Sequence, residues 1–156
     1  MKNISFMAAG ALFASATSYA ANAETATCNL HPADLLATFG YAASGQALKN
    51  ITELNLPAGP FSEIGTATVL TVNDDGHGNL VGTWSSKFQQ NDSSGIGKAF
   101  TIPGKFTVSK TDCRGDFSWN GVGLVFHVVF VNGAREFRAA SALPGIILSY
   151  TSGEKL

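Results

Sequence analysis

The sequence predicts an all-β chain: a single eight-stranded antiparallel β-barrel entered through a short N-terminal helical turn. Three observations carry that prediction. The length of 156 residues allows one domain. Beyond Leu36 no helical periodicity longer than about two turns survives. Eight β-favouring runs follow one another, each bounded by turn residues, the pattern of an up-and-down sheet that closes to remove its edges.

The elements come in order. Residues 1–23 read as a secretory signal peptide, with Lys2, an apolar stretch from Ile4 to Ala14, and small residues ending Ala21-Asn22-Ala23. That stretch is too short and too diluted for a permanent span, so the mature domain, 24–156, carries no stable membrane insertion. A helical turn fits His31–Leu36, where Pro32 suits the first helical position and Asp34 the positive end of the turn. Strands are expected near Ala37–Gly45, Ser62–Val72, Asn79–Gln89, Lys98–Lys110, Arg114–Trp119, Val122–Val131, Arg135–Ala142 and Gly145–Thr151. Between them stand Asn73-Asp74-Asp75-Gly76, residues 91–97, Asn120-Gly121 and Asn132-Gly133. The last two are Asn-Gly hairpin signals, because a type I′ turn needs positive φ at both central residues.

Composition narrows the function. Charged residues make up 13% of the chain, about half the usual share. Ten Lys and Arg against eleven Asp and Glu, without a basic cluster, leave no electrostatic footprint for nucleic acid. Cys28 and Cys113, an even pair in an exported chain, read as one disulfide and place the protein in an oxidising lumen or outside the cell. Asn50-Ile51-Thr52 and Asn91-Asp92-Ser93 are glycosylation sequons in polar, turn-rich stretches. The histidines His31, His77 and His127 lack metal-ligand spacing, so no metal is expected, and no phosphate loop, dinucleotide fingerprint or nucleophile elbow is present. No cofactor is expected.

An eight-stranded barrel is just wide enough to be filled by side chains or to hold one small ligand. The polar and aromatic residues within apolar runs are the candidates for its wall. Tyr41, Glu63, His127 and Arg138 are candidate catalytic groups, and Phe61, Trp84, Trp119, Phe137 and Tyr150 are candidate substrate contacts. A lumen-facing Glu63 would have its pKa raised by desolvation and could move a proton, whereas at the rim it would do neither. His127 alternates with Phe126 and Val128, so only one of the two sets faces the lumen. Glu136 and Arg138 share a strand face, as a site pair or a surface pair. The run Val122–Val131 is apolar on both faces. Its outer side therefore calls for cover from a second subunit in a homodimer, or from the N-terminal segment and the Asn50 loop.

Several segments resemble the allene oxide cyclase barrel-like proteins of fungi and bacteria. They are the opening Cys28-Asn29-Leu30 with Ala33-Asp34-Leu35-Leu36-Ala37-Thr38-Phe39-Gly40-Tyr41, then Ala58-Gly59-Pro60-Phe61-Ser62-Glu63-Ile64-Gly65-Thr66, and Gly76-x-Gly78-Asn79-Leu80-x-Gly82-Thr83. Asn132-Gly133-Ala134-Arg135-Glu136-Phe137-Arg138, followed by Leu143-Pro144-Gly145, is similar in placement to the family's last hairpin. The resemblance implies a calycin-like barrel with an apolar lumen. It also points to fungal hetero-Diels–Alderases, which join a humulene-type alkene to a tropolone quinone methide.

Three functional expectations follow. The first is a cofactor-independent cyclase acting on a polyketide–terpenoid substrate, in which ordering the reactants supplies up to roughly 7–11 kcal/mol and a donor such as Tyr41, His127 or Arg138 steadies a developing oxyanion. The second is a lipocalin-like carrier of a hydrophobic small molecule. The third is a secreted structural barrel packed solid. Both cavity readings require a void of about 300 Å³ or more.

Overall fold

The computed structural model describes residues 28–92, 97–142 and 145–156. The expected signal segment, Ser93 of the second sequon, and the side chain of Tyr150 lie outside the described residues.

The chain forms a closed antiparallel barrel in which each strand pairs with the next and the last pairs with the first. The strands are β1 Thr38–Ala47, β2 Gly59–Asp74, β3 Asn79–Asn91, β4 Lys98–Ser109, β5 Arg114–Trp119, β6 Val125–Val131, β7 Glu136–Ser141 and β8 Ile146–Lys155. A single turn of helix, α1 (Pro32–Leu35), precedes them, with Pro32 in its first turn and the Asp34 carboxylate accepting the His31 N–H at 2.8 Å. Side chains alternate as the pleat demands. On β4, Phe106 and Val108 are buried while Lys105 and Thr107 are exposed.

Several boundaries differ from the sequence reading, β2 for one running from Gly59 to Asp74, and two of the differences have plain local reasons. β6 begins at Val125 instead of Val122, because Gly121 and Gly123 adopt positive φ (78° and 66°) and break the extended run. β8 continues to Lys155 although its last residues are polar, since it pairs there with β1 and β7. Of the two Asn-Gly pairs, Asn132-Gly133 has the positive φ values a type I′ turn needs (54° and 64°), while at the other only Gly121 is left-handed.

Glycine makes the narrow interior possible. Five glycines each stand directly opposite an aromatic residue on a neighbouring strand, among others Gly45 with Phe61, Gly65 with Phe88, Gly82 with Phe106, Gly104 with Trp84, and Gly153 with Phe137. A methyl group at Gly82 would lie 2.7 Å from the Phe106 ring, and one at Gly104 would run into the Trp84 indole. Each ring lies over a bare backbone, and the rings then pack on one another. Phe88 stacks on Trp119 with centroids 5.0 Å apart, and Trp84 meets Phe117 edge-on at 5.2 Å.

The two ends are closed differently. At the lower end, where β1 begins, Leu30 and Leu35 are buried, and the segment is held by the Cys28–Cys113 disulfide and by Leu30 N–H donating to the Lys110 carbonyl at 3.2 Å. At the upper end the β1–β2 connection folds into a 3₁₀ turn at Thr52–Leu54, and Ile51, Leu54 and Leu56 are buried. Lys98 pins this turn by donating to the Asn55 carbonyl at 2.8 Å while pairing with Asp92 at 3.0 Å. Neither closing segment covers the outer side of β6, where His127 and Val129 are exposed, so the expectation that the Asn50 loop or the N-terminal segment covers that strand is corrected. Those apolar residues serve as end plugs instead. Asn50 is exposed, and its Oδ1 accepts the Ala58 N–H at 2.8 Å.

Two stability outcomes follow. Gly104→Ala lowers unfolding stability by about 2–3 kcal/mol, the overpacking range, measured by urea denaturation. Replacing both cysteines by serine removes up to about 4–5 kcal/mol for a loop of this length, read by the same method.

Candidate functional site

The inward faces of the strands enclose a void of about 70 Å³ whose wall is almost entirely carbon. Its rings and aliphatic groups come from every strand except β4, together with Leu54 and Leu56 of the upper turn. Phe61, Trp84, Trp119 and Phe137 all border it, as the sequence reading expects. The rings that shape the lumen also fill it. At rest it falls well short of the roughly 300 Å³ that a ligand pocket requires, and the expectation of a ready-made cavity of that size is corrected.

The polar groups in this wall are few. Tyr41 on β1 faces inward, its hydroxyl 3.0 Å from Ser86 Oγ on β3. Burial first, and then the neighbouring Glu63 carboxylate, hold the phenol well above its usual range against the opposing effect of the Ser86 hydrogen bond. Tyr41 therefore stays protonated and acts as a hydrogen-bonding group, not as a base.

Glu63 on β2 is 9% exposed and borders the void. Burial alone pushes its carboxyl from an ordinary 4.5 up to about 7; no cation or hydrogen bond among the described residues holds the charged form. In the ladder Glu63 stands beside Ala43 of β1, and Ala43 beside Thr151 of β8, which also borders the void. On the other side Glu63 stands beside Gln90 of β3.

Gln90 is fully buried, and among the described residues neither its side-chain nitrogen nor its oxygen has a hydrogen-bond partner. Trp119 Nε1 is likewise buried without a partner among the described residues, while Trp84 Nε1 donates to the Ser118 carbonyl at 3.2 Å. Gln90 and Thr151 escape the sequence reading. Polar residues fall on both faces of the last turns of β3, so nothing in its composition marks Gln90 as inward. Counting by twos from Trp84 through Ser86 and Phe88 would have found it.

The other candidates lie outside the lumen. His127 points outward from β6, its Nδ1 2.7 Å from Asp116 Oδ1, both side chains more than half exposed in a shallow groove. The parity of Phe126, Val128 and Phe130, which border the void, forces this. Arg138 points outward from β7 and lies 3.5 Å from Glu136, an exposed pair of little energetic weight. Neither meets a lumen ligand.

No protein-family model, curated protein or solved structure matches this chain. Its chemistry is therefore read from its own side chains.

The buried carboxyl has a consequence for stability with a definite sign. Between pH 4.5 and about 7 the unfolded chain has released the Glu63 proton and the folded chain keeps it. Stability thus falls as pH rises through that window and levels off above it, by up to about 3 kcal/mol. Glu63→Gln flattens the decline in urea unfolding curves taken at each pH, and is the more stable form at pH 8.

Proposed function

We propose that this protein is an exported barrel that admits an apolar small molecule to its lumen and cyclises it without a cofactor, in the manner of the barrel-like cyclases its sequence resembles. One observation carries the reading: Glu63 sits in a carbon-lined wall with burial as the sole influence on its proton. An unpartnered acid in such a place destabilises the fold, and groups of this kind concentrate at working sites. In its neutral form Glu63 donates a hydrogen bond to a substrate oxygen as electron density builds there. In a hetero-Diels–Alder addition that is all the protein has to supply besides orientation, since no atom enters or leaves. Tyr41 lies close enough to feel the Glu63 charge and is the second donor at hand.

The 70 Å³ void places a condition on this reading: the wall must open before a substrate of polyketide–terpenoid size fits. The same small void favours a second reading, a secreted barrel packed solid with a structural role. A carrier without turnover would need the same opening.

Mass spectrometry of the secreted protein after incubation with humulene-type and tropolone precursors separates the three. Product formed faster than in buffer marks the cyclase, retained ligand without conversion the carrier, and neither the structural barrel. For the cyclase, the rate falls as pH rises through about 7, following Glu63. Glu63→Gln removes that pH dependence and slows turnover about 100-fold. A pH-independent rate in the native protein would remove Glu63 from the mechanism.

A further inference from the structure

The outer wall formed by β8, β1, β2 and β3 is apolar at its centre. Ile64 of β2 and Leu156, which follows β8, are each more than half exposed. The Leu156 side chain lies over Gly40 of β1, where a methyl group would stand 3.1 Å from Leu156 Cδ2. Beside Ile64 the outward residue of β1 is Ala42. Exposed apolar side chains gathered in one place mark a contact surface. The outer side of β6 offers less, because Val129 there stands between Arg114 and Arg138 in the ladder.

Strand pairing sets the outward residues of this wall in rows. One row runs Glu154, Gly40, Thr66, Lys87 from β8 to β3, and the next runs Ser152, Ala42, Ile64, Gln89. The first row is acidic at one end and basic at the other. Glu154 and Lys87 are exposed, and neither has an ion-pair partner among the described residues. Glu136, beside Glu154 on β7, is already paired with Arg138.

We propose that this wall is the contact face of a homodimer, in which a second copy of the chain docks about a two-fold axis lying between β1 and β2 and running along them. That axis exchanges the two ends of every row. Glu154 of each copy then meets Lys87 of the other, so one face supplies both charges of two ion pairs. Ile64 of each copy meets Ala42 of the other, a large side chain over a small one. A two-fold axis running across the strands would set Glu154 over Glu154 and Lys87 over Lys87, so the charges select the first axis.

The shape agrees. A barrel wall is convex, so two such walls come closest at the axis and diverge toward β8 and β3. Gly40 and Ala42 stand beside the axis, where backbones must approach, and the long Glu154 and Lys87 side chains stand where the gap widens. From strand spacing and rise the face covers roughly 500 Å² per copy, against about 800 Å² for a standard stable interface. The dimer is therefore a weak one that depends on concentration. Nothing in it depends on the lumen.

The test is sedimentation velocity of the secreted protein from about 1 to 300 µM, the range in which a small interface associates. The native protein passes from monomer to dimer as concentration rises. Ile64→Lys stays monomeric throughout, with an unchanged urea midpoint because the position is exposed. Glu154→Lys weakens association about tenfold, since it places lysine over lysine twice. Lys87→Glu does the same, and the double variant Glu154→Lys/Lys87→Glu recovers the native affinity. Val129→Lys, on β6, changes nothing.

A native protein that is monomeric at every concentration overturns the inference, as does a dimer that Ile64→Lys leaves intact. A dimer lost in Val129→Lys and kept in Ile64→Lys places the second copy on β6 and overturns it too. Single charge variants that associate as the native protein does, or a double variant that fails to recover, overturn the pairing of Glu154 with Lys87 across the two-fold axis.

Discussion

An eight-stranded barrel has too little width for large side chains to face one another across every ladder, and the rest of this structure depends on how that limit is met. Opposite each of Phe61, Phe88, Phe106, Trp84 and Phe137 stands a glycine. The ring uses the space its partner leaves, and its face lies against peptide backbone in place of a second side chain. The arrangement buries wide aromatic surfaces in a chain whose charge is sparse. It also sets the register. A slip of one residue would turn these glycines outward and drive rings into positions carrying Thr or Lys. The lumen is narrow for the same reason, so fold specificity and the size of the void have one cause.

The ends of the barrel divide the work. The lower end is fixed covalently, with Cys28 tied to Cys113 and two leucines buried beneath. The upper end is closed by a short turn that has no covalent tie, pinned by apolar contact and by one lysine that reaches both Asn55 and Asp92. Among the described residues, the buried polar side chains without a partner, Gln90 and Trp119, lie toward the second closure. Were they a defect of packing, they would be expected where the constraint is tightest. They occur at the end that carries no disulfide.

Much of the fold was legible from local chemistry. The Pro32 and Asp34 pairing marked the helical turn, Asn132-Gly133 marked a left-handed hairpin, and the cysteine pair fitted an oxidising compartment. The site was legible in part, because it depends on parity, which a sequence gives only when one face is clearly apolar. β4 meets that condition. β2 does not: Phe61, Glu63, Gly65 and Ala67 face inward while Ile64 and Leu70 are exposed, so hydrophobicity alone misplaces the face. His127 shows the same difficulty reversed, a polar residue in an apolar strand whose outward direction is fixed by its neighbours on both sides. The void lay beyond sequence altogether, since it is a small difference between the barrel's width and the volume of side chains contributed by seven strands.

The disulfide and the polar groups of the upper lumen are linked by stability, although they lie at opposite ends. Each buried group left without a hydrogen bond costs about 1–3 kcal/mol, a sum comparable with the whole margin of a small domain. An 85-residue loop closed by a disulfide returns about 4–5 kcal/mol by restricting the unfolded chain. That contribution asks nothing of packing at the far end. A barrel stabilised through its upper turn would have to satisfy or remove Glu63, Gln90 and the Trp119 N–H; one stabilised through its lower end can tolerate their cost.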